Sequence, residues 1–152
     1  MTLRAILACT LLLGCGQTAV TTDASTADAA LADAGPPTWE SVQAILARSC
    51  AFSSCHGATR AFPRLSAELA YASLTTSMSM QVTSLRLVTP GDPAQSWLMN
   101  KLDGTMSTRA ACAASAMTCG TSMPQSSELL PAHEREMIRA WIRMGAMGPR
   151  DN

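Results

Sequence analysis

The stretch that decides the fold is Cys50-Ala51-Phe52-Ser53-Ser54-Cys55-His56-Gly57. Two thiols and an imidazole stand close together here, and they form the most chemically specific cluster of the chain. On a regular helix the two cysteines would lie about 7.5 Å apart along the axis and roughly 140° apart around it. Because they would then face different partners, residues 51–54 must form a bulge or a loop, which the paired serines favour.

Three chemical interpretations of this cluster stay open at this point. The common signature for covalent attachment of c-type haem is Cys-x-x-Cys-His, and here two extra residues separate the cysteines. A Cys50–Cys55 disulfide fits the loop equally well, and a metal site is the third possibility. His56 favours haem, because a haem site needs a histidine directly after the second cysteine as the proximal ligand, whereas a disulfide needs none.

The first fifteen residues predict export. Arg4 precedes an apolar run at 5–13, which is too short for the roughly 20 residues of a membrane span and is typical of a secretory signal. Its ending, Leu12-Leu13-Gly14-Cys15, resembles the lipobox of bacterial lipoproteins, whose cysteine is lipidated and becomes the first residue of the mature protein. The alternative is an ordinary signal peptide that is cut slightly later. Both readings place the mature chain outside the cytoplasm, and the lipobox anchors it at a bacterial membrane, on the periplasmic or cell-surface side.

Composition separates a tether from one small domain. Residues 16–37 consist mostly of Ala, Thr, Asp, Gly and Pro and contain no aromatic residue, so we expect a disordered tether there. The domain then spans 38–148. The 152-residue chain has 11 basic and 11 acidic residues, six aromatic residues and no basic run, which argues against nucleic-acid binding. Its six cysteines indicate an oxidising compartment, a metal site or covalent cofactor attachment.

The domain is predicted to be all-α, with about four helices and long irregular loops. Helix starts are predicted at Thr38, Ser66 and the Asp92-Pro93 pair. Loops longer than about twelve residues need a reason, and a planar cofactor or disulfides would supply one. The four predicted helices cover about 39–49, 67–75, 94–102 and 131–144, with an extended or looping segment at 77–91 and a loop from 104 to 127.

A second ligand for an iron would come from a distant loop. Met123 ranks first, because it precedes Pro124, which restricts its backbone, and Met106 and His133 rank second and third. Cys112 and Cys119 predict a structural disulfide that braces the Met123 loop. The competing idea is a zinc site drawn from these two cysteines, from Cys50, Cys55, His56 and from His133.

Four stretches of the chain resemble the small class I cytochrome c domains, in particular those of bacterial exported lipoproteins with widened attachment motifs. They are the helix that leads into Cys55-His56-Gly57, the Pro90-Gly91-Asp92-Pro93 helix start with Ser96 and Leu98, the Met123-Pro124 loop, and the closing Trp141-Ile142-Arg143-Met144-Gly145-Ala146. The resemblance covers about residues 38 to 148. It implies that the first and last helices cross, that Cys50 and Cys55 form thioethers to haem c, and that His56 and Met123 are the axial ligands.

These patterns lead us to expect a lipid-anchored monohaem electron carrier that serves redox partner proteins. With both axial positions filled, no open iron site would remain for a substrate. The sequence also contains no evident Ser/His/Asp set or carboxylate pair, so an enzymatic activity is not expected. The rival interpretation is a haem-free, disulfide-stabilised lipoprotein that acts as a binding or structural module.

Overall fold

The computed structural model describes residues 35–57, 59, 61–125 and 127–149. The predicted signal peptide, the lipidation site Cys15 and the tether up to residue 34 lie outside the described residues. Within the described part the chain forms α-helices and no β-strand, which confirms the all-α class. The helices are α1 Trp39–Ser49, α2 Ala70–Thr76, α3 Trp97–Asp103, α4 Ala110–Ala113, α5 Ala116–Cys119 and α6 Ala132–Arg143, with 3₁₀ turns at Pro93–Gln95 and Met106–Thr108.

Helix α1 begins and ends where the sequence predicts. The Thr38 hydroxyl accepts a hydrogen bond from the Ser41 amide, which satisfies one of the unpaired amides of the first turn. Its buried face is formed by Trp39, Val42, Ile45 and Leu46. At the other end the Cys50 backbone leaves the helical conformation, and the amides of Cys50 and Ala51 both donate to the Leu46 carbonyl. The helix therefore delivers Cys50 to the core at a fixed position.

The first and last helices pack together, as the resemblance implies. The Trp39 and Trp141 rings lie 5.5 Å apart between centroids, and Trp39 meets Tyr71 edge-on at 5.2 Å. On the solvent side, Arg48 of α1 binds Glu134 of α6 at 2.5 Å. The buried face of α6 is formed by Met137, Ile138, Ala140, Trp141 and Ile142.

Helix α6 is also tied to α3 by an ion-pair network. Asp103, the last residue of α3, binds Arg135 at 2.7 Å and Arg139 at 2.8 Å. Arg139 binds Glu136 as well, at 3.0 Å. Gly104 ends α3 in the left-handed conformation, at φ 68°, close to the predicted helix end at about residue 102.

Two predicted helix starts differ from the structure. The Ser66 cap is wrong: α2 begins only at Ala70, and the buried Ser66 hydroxyl oxygen has no hydrogen-bond partner among the described residues. The third helix is interrupted. Asp92 caps the 3₁₀ turn Pro93–Gln95, but Ser96 is extended because its hydroxyl binds the Asp92 carbonyl and the Thr89 amide. Helix α3 restarts after it.

The segment from 104 to 127, predicted as a loop, contains two short helices. Helices α4 and α5 have four residues each, too few to be stable in isolation. The sulfurs of Cys112 and Cys119 lie at 2.03 Å, a disulfide that joins the two helices. Alanine-rich sequence favours helix locally, and this cross-link supplies the tertiary support that a local pattern does not reveal.

Residues 77–91 form the expected irregular segment. Its order comes from two isolated bridges, Met78 with Arg86 and Arg86 with Ser96. Val82, Leu85, Leu87 and Val88 are buried. The segment therefore adds an apolar wall to the core without forming a strand.

Candidate cofactor site

The core contains a cavity of about 350 Å³ between α1, α3 and the irregular segments. Its volume falls within the range of small-molecule sites, roughly 300 to 1,000 Å³. Most of its wall is apolar, and the larger contributors are Leu46, Leu65, Leu74, Leu87, Trp97 and Leu102. Four residues with ligand chemistry also line it, namely Cys50, His56, Met80 and Met123.

The cavity brings together three of the four residues predicted to bind a cofactor. Cys50, His56 and Met123 share its lining. Cys55 does not line the cavity and is exposed, with its sulfur 3.7 Å from the Ser54 hydroxyl. Both Cys50 and Cys55 are free thiols in this structure. Three of the four residues predicted to bind haem thus share one cavity, which fits such a group, and Cys55 lies outside the cavity lining.

The loop between the two cysteines is built by backbone hydrogen bonds. The Phe52 carbonyl accepts from the amides of Cys55 and Gly57, and the Cys50 carbonyl accepts from the His56 amide at 3.1 Å. Residues 51–54 bulge away from the helix, as the spacing predicts. Gly57 suits this closure, because a Cβ at that position would lie 3.1 Å from the Phe52 carbonyl oxygen and the loop would have to shift to admit it.

The orientation of His56 is fixed by a single hydrogen bond. Its Nδ1 lies 2.8 Å from the Pro63 carbonyl oxygen. A carbonyl can only accept, so Nδ1 carries the proton and donates. In this tautomer Nε2 keeps its lone pair, which is the state in which histidine ligates a metal.

Burial disfavours the ionised form of the Cys50 thiol. Removal of the thiol from water raises the pKa of Cys50 from 9.0 to about 11, and the neighbouring Cys55 and Glu134 add to this rise. The thiolate is the nucleophilic and metal-binding form of cysteine. Cys50 would therefore have to release this proton in order to bind a metal ion.

Among the three candidates for the distal ligand, Met123 is the one that lines the cavity. It is partly buried against the core, and its amide donates to the Lys101 carbonyl at 2.9 Å. Met106 also packs against the core but is absent from the cavity lining. His133 lies on the first turn of α6, in a separate shallow groove beside Arg48. Which of the three would bind an iron stays a prediction.

The zinc alternative loses two of its donors. Cys112 and Cys119 are joined by their disulfide, so neither offers a thiolate. Within the described ranges, no group of three or more Cys, His, Asp and Glu side chains has the arrangement of a metal site.

Two residues that line the cavity were not predicted from the sequence as site residues. Lys101 is the single lysine of the chain and lies on α3 between Leu98 and Leu102, a position that could have marked it as buried. Met80 lines the cavity although it is 76% exposed. Nothing in the sequence distinguishes Met80 from the other nine methionines.

Comparison of the chain with protein-family models, with curated proteins and with solved structures finds no match. Across the part of the chain that the structure describes, no helix combines the length and the apolar character needed to cross a bilayer.

Proposed function

We propose that this chain is an exported, lipid-anchored cytochrome c-like protein that carries single electrons through one covalently attached haem c. The observation that carries the proposal is the shared cavity, because Met123 lines the same apolar space as Cys50 and His56. The Nδ1 atom of His56 donates a hydrogen bond to the Pro63 carbonyl. The packing of α1 on α6 through Trp39 and Trp141 supports the cytochrome c-like fold.

Each residue has a distinct task in this proposal. His56 would hold the iron through Nε2, and the Pro63 carbonyl keeps the imidazole in the tautomer that this requires. Met123 would hold it through its thioether, a ligand that gives a higher reduction potential than a second histidine. The leucines and Trp97 of the wall exclude water. A bound haem would supply an iron that gains and loses one electron, for exchange with redox partner proteins.

The two cysteines would hold the group by thioether bonds. Cys50 already lies on the cavity wall. Cys55 follows the 51–54 bulge, is exposed and lies outside regular helix, so the second thioether would require this loop to rearrange.

The test is haem retention on a denaturing gel. The full chain is expressed in an export-competent bacterium with haem maturation proteins, next to a variant with Cys50→Ser and Cys55→Ser. We expect a peroxidase-active band that stays with the wild-type polypeptide and is lost in the double variant. No such band in the wild type would refute the cytochrome proposal.

The lipid anchor belongs to the proposal and rests on Leu12-Leu13-Gly14-Cys15. In this proposal, the tether predicted at 16–37 would link the lipid anchor to the domain. Metabolic labelling with a radioactive fatty acid should mark the wild type and not Cys15→Ser. Equal labelling of both would refute lipidation at Cys15.

One observation favours a second candidate, a haem-free binding or structural lipoprotein. Cys55 is exposed and off the cavity lining, yet near enough to Cys50 to affect its pKa. Both thiols are free in this structure, and a disulfide between them in an oxidising compartment would leave the apolar cavity free. A chain without haem whose 50–57 segment contains a disulfide would establish this candidate over the first.

A further inference from the structure

Lys101 is the single lysine of the chain, and the fold buries it. Its side chain is only 7% exposed. The ammonium donates to the Cys119 carbonyl at 2.5 Å and to the Thr121 carbonyl at 2.7 Å, and it lies 5.6 Å from the centre of the Trp97 ring. The Lys101 ammonium therefore binds, from inside the core, the backbone of the segment 119–123, which begins at the disulfide cysteine Cys119.

The same residue also holds the next part of that segment. The Met123 amide donates to the Lys101 carbonyl at 2.9 Å. Residues 119–123 are thus attached to α3 at three points, two through the Lys101 side chain and one through its backbone. The disulfide fixes the start of this segment, since Cys119 is bonded to Cys112.

No carboxylate lies within ion-pair distance of Lys101 in the described part of the chain. A buried ammonium without a carboxylate is costly, and burial lowers the pKa of Lys101. Its hydrogen bonds to two carbonyls and the face of Trp97 offset that cost. An apolar side chain at 101 would remove this donor from both carbonyls, and Cys119 is a buried residue whose carbonyl would lose a costly hydrogen bond.

We propose that Lys101 is a positioning residue for Met123: by binding the Cys119 and Thr121 carbonyls, its ammonium holds the segment that places the Met123 thioether in the cavity shared with His56. The role of Met123 as an iron ligand rests on the proposed function. The attachment of the segment to Lys101 is independent of that function, since it is given by the hydrogen bonds of the ammonium.

Hydrogen exchange in the haem-free full chain separates these two statements. Lys101→Met removes the ammonium and keeps the backbone carbonyl that binds the Met123 amide. We expect the Met123 amide to exchange at least about tenfold faster in this variant, because the segment loses two charge-assisted hydrogen bonds. Asp103→Asn is the matched control, since it weakens the same helix through Arg135 and Arg139 without touching the segment.

The haem-loaded protein gives the second readout. Lys101→Met should keep its haem on a denaturing gel but lose the methionine-to-iron absorption band, and Asp103→Asn should keep both. Unchanged exchange at Met123 in Lys101→Met, or equal acceleration in both variants, overturns the proposal. If the wild type carries no haem, the proposed function fails, and the exchange result still decides the role of Lys101.

A measurement on the wild type covers the case in which Lys101→Met does not fold. Because Lys101 is the only side-chain amine, acylation of its peptide can be followed by mass spectrometry. We expect labelling of the folded chain to be at least about tenfold slower than in urea, since the ammonium is buried and hydrogen bonded. Equal labelling rates would overturn the proposal.

Discussion

His56 and Pro63 are joined by a hydrogen bond of 2.8 Å between the imidazole Nδ1 and the carbonyl oxygen. This contact closes the irregular stretch that follows the Cys50–Cys55 bulge. The Leu65 amide adds a second tie to the His56 carbonyl at 2.6 Å. The imidazole is thereby held at the cavity wall with one nitrogen protonated and the other available to a ligand.

The first prediction concerns His56→Ala in the haem-loaded protein. Loss of Nε2 removes a strong-field ligand from the iron, so the low-spin absorption spectrum should disappear even where haem stays attached through the cysteines. Optical and electron paramagnetic resonance spectra measure this change. A low-spin spectrum identical to that of the wild type would show that His56 is not the proximal ligand.

Met123→Ala should leave haem attached and alter its axial ligation. The control is Met80→Ala, because Met80 lines the same cavity but is mostly exposed. Under our assignment, the methionine-to-iron band is lost in Met123→Ala and kept in Met80→Ala. The opposite result would give the distal position to Met80, and a band kept in both variants would give it to Met106. A wild type that lacks the band would leave the position to His133.

The parts of the fold that were predictable depend on local signals. Helix α1 follows from apolar spacing and the Thr38 cap, and α6 from its buried face. Ser66 has the same local character as a cap, but its hydroxyl is buried in the structure and α2 starts four residues later. Local preference therefore decides a helix start only where packing allows it.

The candidate site was predictable in part for a different reason. Cys50, Cys55 and His56 are adjacent in sequence, so their chemistry is visible there, and Met123 could be ranked by its neighbour Pro124. Lys101 was missed because lysines on helices are usually exposed. The cavity itself was not predictable, since its wall is assembled from segments that are far apart in the chain.

Stability should depend on pH through Cys50 in the haem-free protein. Below pH 9 the thiol is protonated in both the folded and the unfolded chain, so its full contribution is present. As the pH rises to about 11, the unfolded thiol ionises first, and the unfolding free energy falls. A two-unit difference corresponds to about 2 to 3 kcal/mol.

Urea unfolding at several pH values measures this effect. Cys50→Ala is the control, because it removes the titrating group and leaves all others. We expect the wild type to lose about 2 kcal/mol more than Cys50→Ala between pH 9 and 11. Parallel pH profiles would contradict the buried, protonated state of the thiol.

Removal of the Cys112–Cys119 disulfide should destabilise the domain. The closed loop is short, with a sequence separation of 7, and the chain-entropy model assigns about 2 to 3 kcal/mol to a loop of this length. Replacing both cysteines by alanine should lower the urea midpoint accordingly. Ser115→Ala, an exposed change between them, should shift the free energy of unfolding by less than about 0.5 kcal/mol. Equal midpoints for the double variant and the wild type would contradict a structural role.

The most direct test of the central claim is the mass of one tryptic peptide. Cleavage after Arg48 and Arg60 releases residues 49–60, which contain Cys50, Cys55 and His56. If both thiols add to the vinyl groups of haem, no atoms are lost, and the peptide from the exported protein carries the added mass of one haem. A peptide without haem and lighter by two hydrogens would mean that the thiols are bonded to each other, and would contradict the cytochrome assignment.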